Sequence, residues 1–146
     1  LPISPPYVGS KGGLSLRVFR NRAGVVDEAV SGEKFQARDR LRFNVGLSAE
    51  GTGDTHIMII GVEASGKRFT YYPQQGPDRS AAPAIDQDGL LEGAVALDDY
   101  VGAEWVHLVA CPRAFTGDEI RLEAPDEVSE VPEECRVRSF LLQKVD

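Results

Sequence analysis

Between Arg40 and Leu47 the apolar side chains Leu41, Phe43, Val45 and Leu47 fall on every second position. That is the period of a β-strand with one face buried. Leu14 to Val18 repeats the pattern in shorter form. Five further runs, His56 to Val62, Phe69 to Tyr72, Ala94 to Leu97, Trp105 to Ala110 and Val137 to Leu142, are apolar, β-branched or aromatic and end at Gly, Pro, Asp or Ser. Each reads as a strand. Val25 to Val30 adds a candidate eighth. No stretch keeps a helical period, and with 15 glycines the chain predicts an all-β, antiparallel sandwich with immunoglobulin-like layering of seven to eight strands. Contiguous runs such as Ile57-Met58-Ile59-Ile60 then belong to central strands.

Turn chemistry supports this layout. Ala64-Ser65-Gly66-Lys67 reads as a hairpin with a glycine free to take positive φ, and Ala37-Arg38-Asp39 as the turn into the Arg40 strand. Gln74 to Pro83 has no period and reads as a surface loop. Thr116 can cap one short helix near 116–124, with Asp118 and Glu119 in its first turn. The opening LPISPP has neither the basic start nor the apolar stretch of a signal peptide, so 1–13 is expected to be a linker remnant and 14–146 a single domain.

Charge changes the picture locally. Residues 118 to 134 hold eight of the 23 acids and one of the 16 bases, which accounts for the whole formal charge of −7. The other 15 acids balance the other 15 bases, leaving no basic field for nucleic acid. The acidic stretch reads as a solvated connector or as a docking site for a basic partner.

Candidate chemistry centres on Glu104 to Pro112, EWVHLVACP, where His107 precedes Cys111 by four positions. In an extended strand these side chains share a face but stand about 13 Å apart, whereas a base must come within about 3 Å of its nucleophile. His107 therefore does not activate Cys111. Cys111 follows one strand and Cys135 precedes the last, so antiparallel pairing of the two would bring the sulfurs together. A Cys111–Cys135 disulfide is expected, with free core thiols the alternative, and the bond would place the domain in an oxidising compartment.

The other motifs fail on spacing. Two histidines and two cysteines lack zinc-ligand spacing, so no metal is expected. If Gly89 is set at the sixth position of a calcium loop, Ala84 falls at the first and Val95 at the twelfth, where carboxylates belong. Gly51-Thr52-Gly53 lacks the third glycine of a dinucleotide loop, and no cofactor is implied. Asp98-Asp99 reads as a turn. What remains is recognition: Tyr71, Tyr72, Arg79, Trp105 and His107 form a candidate binding surface of aromatic, arginine and imidazole groups, weighed against simple core filling.

The order of these features is similar to that of a known family. Leu14 to Phe19, Asp39-Arg40-Leu41-Arg42-Phe43, Val62 through Gly66 to Tyr71-Tyr72-Pro73, Leu91-Glu92-Gly93 to Leu97-Asp98-Asp99, Gly102-Ala103-Glu104, Cys111-Pro112 with Phe115, and Cys135 before Phe140-Leu141-Leu142 resemble a bacterial domain of unknown function. That family is attached to other domains: it forms the extracytoplasmic end of membrane-anchored proteins with a zinc-finger, anti-sigma-factor-like cytoplasmic part, or lies beside kinase or caspase-like domains. Arg38 stands where the family pattern has a glycine. The resemblance implies a non-catalytic, periplasmic or extracytoplasmic sensing or scaffolding domain, tethered through an upstream segment, with a protein or cell-envelope ligand as partner. It brings no catalytic residues. The alternatives are a cell-envelope hydrolase using His107 or His56 with Asp98, Asp99 or Glu104, and a purely structural spacer.

Overall fold

The computed structural model describes residues 13–47, 55–74 and 78–146. The LPISPP start and Gly51 to Asp54 lie outside them. The described residues form β1 (Ser15–Arg22), β2 (Val25–Ala29), β3 (Lys34–Gln36), β4 (Arg40–Gly46), β5 (His56–Glu63), β6 (Arg68–Tyr72), β7 (Val95–Ala96), β8 (Gly102–Cys111), β9 (Arg121–Ala124), β10 (Glu127–Glu130) and β11 (Arg136–Val145). Two sheets make the sandwich, one in the order β2-β1-β4-β7 and one in the order β3-β11-β8-β5-β6. The all-β layered fold is the one expected.

Alternation aims Leu41 and Phe43 of β4 and Val18 of β1 between the sheets. They meet Ile57 and Ile59 of β5, Val106 and Leu108 of β8, and Phe140 and Leu142 of β11. Each such side chain, once buried, contributes roughly 1.5–3 kcal/mol. The opposite phase of β5 and β8 is equally dry: Met58, Ile60, Val62 and Val109 pack under Phe115, Ile120, Leu122, Val128 and Val131. Those last residues belong to a flap formed by the β9–β10 hairpin and the chain on either side of it. The five-stranded sheet is thus covered on both faces, which is why its central strands read as unbroken apolar runs.

Five expectations change. The described residues hold eleven strands in place of seven or eight, because β3, β9 and β10 are short and two of them are rich in charge. The acidic stretch is a packed hairpin, since Leu122 and Val128 turn inward between solvent-facing acids. The expected helix shrinks to a 3₁₀ turn, Gly117–Glu119, in which Glu119 Oε2 accepts from the Thr116 amide at 2.9 Å. Of the expected loop Gln74 to Pro83, residues 75–77 lie outside the described residues, and the part from Asp78 on is not only surface: Ala81 bridges Ile57 of β5, and Ser80 is buried against Phe115. The sheets are also not wholly antiparallel, for β3 runs parallel to β11, placing Gln143 opposite Lys34.

Arg38 takes φ 73°, a left-handed conformation that glycine reaches most easily. The Asp39 amide closes this turn on the Gln36 carbonyl at 3.1 Å. The Asp39 carboxylate, 2% exposed, accepts from the Gln36 amide at 2.8 Å and from the Arg22 guanidinium at 2.9 and 2.8 Å. Burial alone would raise this carboxyl, but the Arg22 and Gln36 hydrogen bonds prevail and hold it below its ordinary range. Arg38 is tolerated because side-chain bonds hold the turn that its backbone disfavours.

Candidate functional site

Odd-numbered β8 residues face the flap, so His107 and Cys111 point the same way. Each ties the flap down separately. Cys135 lies beside Cys111 one step beyond the Ala110–Arg136 pair, and the two are joined, with S–S 2.05 Å and Cα atoms 4.2 Å apart. His107 is fully buried, with Nδ1 2.7 Å from Ser139 Oγ and Nε2 2.8 Å from the Pro125 carbonyl at the flap's tip. A carbonyl only accepts, so Nε2 carries the proton and the Ser139 hydroxyl donates to Nδ1 in the neutral ring. Histidine and cysteine act as two anchors of one flap.

Burial lowers the His107 pKa from 6.5, opposed by the hydrogen bond to Pro125 and by Asp126. Its stability contribution is therefore complete above about 6.5 and is lost as pH falls through the folded-state value, because the unfolded chain takes up a proton that the folded one resists. Unfolding free energy should drop by at most about 1.4 kcal/mol per pH unit in that window. The carboxylates with lowered values, such as Asp39 and Asp98, act below their ordinary 3.8. Denaturant melts at stepped pH check this; His107→Gln should flatten the slope, and an unchanged slope would assign it elsewhere.

A second polar cluster sits at the other end of β8. Glu104 has the inward phase of Val106 and Leu108 and is fully buried; Lys144 has the phase of Leu142 and is 3% exposed. Lys144 Nζ donates to Asp98 Oδ1 and lies 3.4 Å from Glu104 Oε1, while the Tyr71 hydroxyl donates to Glu104 Oε2. A Cβ at Gly61 would collide with Glu104 Oε2 and the Tyr71 ring, so glycine opens that space. Burial pushes the Glu104 carboxyl up despite the Tyr71 and Lys144 hydrogen bonds. It raises the Tyr71 hydroxyl too, with the Glu104 charge adding to it. The Lys144 hydrogen bond holds Asp98 down. Beside Asp98 is an open depression of about 440 Å³ lined by Ala37, Arg38, Leu97, Asp98 and Asp99.

The five residues of the expected binding surface are not brought together. His107 is in the flap core, and Tyr72, 7% exposed, donates its hydroxyl to the Ala82 carbonyl at 2.7 Å and accepts from the Ala84 amide at 2.9 Å. Tyr71 is the extra residue of a bulge, since Ile59 opposes Tyr72 and Ile60 opposes Thr70. A bulge aims two successive side chains to one side, so both tyrosines turn inward, Tyr71 stacking on Phe69 and Phe43 at 6.3 and 6.4 Å. Trp105 is half-buried near the start of β8, and exposed Arg79 bridges Thr116 beyond its end. Six strand residues separate those positions by roughly 20 Å.

The sequence reading passes over Lys144 and offers Glu104 only as a carboxylate for a histidine, although each is a charge on the apolar phase of its strand. Asp98 stays exposed in the surface turn expected of it, accepting from the Tyr100 amide, and also pairs with a buried ammonium. Among the described residues, no three His, Cys, Asp or Glu side chains are placed to hold a metal. No helix among them is long and apolar enough to cross a membrane. Compared with known proteins, the chain matches no protein family, no curated protein and no solved structure.

Proposed function

We propose that this chain is a non-catalytic, extracytoplasmic sensing or protein-interaction domain of a membrane-anchored bacterial regulator, anti-sigma-factor-like in its arrangement. The observation that carries the reading is the Cys111–Cys135 bond, which fastens a packed flap to the central sheet. Disulfides that hold structure persist in oxidising compartments and are reduced in the cytosol. The order of sequence features that resembles the bacterial module supports the same address. An envelope hydrolase would need an imidazole free to move a proton beside a carboxylate, whereas both His107 nitrogens are engaged in anchoring the flap and His56, opposite Cys111, lies seven strand residues, roughly 23 Å, from Glu104.

The test uses the full-length protein in its host with a transcriptional readout. Thiol labelling of whole cells followed by denaturation should find both cysteines blocked until reductant is added; free thiols in the native host would overturn the assigned compartment. Alanine at Arg79 or Trp105 should leave folding intact and change the transcriptional output at least several-fold. Unchanged output from both variants would argue for a spacer.

A further inference from the structure

We propose that Lys144 and Asp98 join in an intramolecular amide, with Glu104 carrying the protons. The geometry comes first. The Lys144 side chain is 2% exposed, and its Nζ contacts Asp98 Oδ1 and Glu104 Oε1 together. The Tyr71 hydroxyl fixes the other Glu104 oxygen, the Tyr100 ring flanks the ammonium with its centroid 5.4 Å from Nζ, and the Tyr100 amide donates to Asp98 Oδ1 at 3.2 Å. Amine, carboxyl, proton carrier and a donor for developing oxyanion charge are therefore held in one place, the arrangement that turns a slow bimolecular condensation into an intramolecular one.

The step balances without oxidant or co-reactant. The Lys144 ammonium passes a proton to the Glu104 carboxylate, which burial makes a stronger base than an exposed one. The freed amine attacks Asp98 Cγ, and the Tyr100 N–H supports the charge that gathers on Oδ1. Glu104 relays protons from nitrogen to Oδ2, the Cγ–Oδ2 bond breaks as the Cγ–Nζ bond completes, and water departs. Two of the three ammonium hydrogens leave with one carboxylate oxygen, and both charges vanish. The product ties β11 to the segment leading into β8. With Cys135 before β11 and Lys144 at its far end, the β8–β11 pair would be covalently closed at both ends.

Intact mass of the reduced, denatured wild-type protein decides the matter. The expected mass lies one water below that of the sequence, and a digest should yield a branched peptide joining Lys144 to Asp98. Glu104→Gln and Lys144→Arg should each restore the full sequence mass. Wild-type protein that is folded by circular dichroism yet has the full sequence mass overturns the proposal and leaves an ion pair. A succinimide at Asp88-Gly89 also loses water, but it gives a linear peptide, opens in mild base and leaves Lys144 open to protease cleavage; that result overturns the proposal too.

Discussion

Reduction of the Cys111–Cys135 bond, or its replacement by paired alanines, should lower the unfolding free energy by about 3 kcal/mol. The bond spans 24 positions, and closing a loop of that size removes roughly this much freedom from the unfolded chain in the chain-entropy model. The loss should be unevenly distributed. The bond sits at the base of the flap, whose apolar residues Phe115, Ile120, Leu122, Val128 and Val131 are held otherwise by packing, by Arg68 donating to the Gly117 and Ile120 carbonyls, and by His107 at the tip. Hydrogen exchange across 113–134 should therefore accelerate before the inter-sheet core does. Denaturant melts with and without reductant give the magnitude, and exchange by mass spectrometry gives the location. Equal acceleration in both cores would mean that flap and sandwich unfold as one unit.

Measured against wild-type protein in which Lys144 and Asp98 are still an ion pair, Glu104→Ala should cost about 3 kcal/mol or more, because it leaves a buried ammonium and a buried phenol short of an acceptor. Glu104→Gln keeps the volume and one acceptor oxygen and should cost less than half as much. The sign of the pH dependence separates this group from His107. Burial raises the Glu104 value on folding, so its contribution is fully present below the unfolded value and is lost as pH rises through the folded one. The Gln variant should lose that decline. Chemical melts of the two variants across pH check both points; equal losses in Ala and Gln would show that cavity volume, not hydrogen bonding, sets the cost.

What the sequence revealed depended on how strongly one physical signal dominated. The alternation in β4 and the apolar runs of β5 and β8 were plain because burial on one or both faces leaves little choice of residue. The cysteine pair followed from strand order alone. β9 and β10 were hidden because the inward residues Leu122 and Val128 alternate with acids in a segment whose charge density suggested solvation. β3 escaped because three residues carry too little pattern, although Phe35 is fully buried. The polar cluster was partly legible: Glu104 and Lys144 stand on inward phases, but nothing local says that strands forty positions apart place them together. The bulge at Tyr71 cannot be read from residue type, so nothing in the sequence turns both tyrosines inward. The partners of His107, a serine on a neighbouring strand and a carbonyl in a turn, leave no trace in its own surroundings.

The position of β11 governs when this chain can fold. It lies between β3 and β8, so the larger sheet is missing an inner member until residues near 145 have been synthesised. As the chain emerges from its N-terminal side, the earlier β1–β2–β4 portion can pair, while β5 and β8 wait with one edge open. During that interval Cys111 has no mate and the β8 edge that β11 will cover stays open, so the larger sheet closes last.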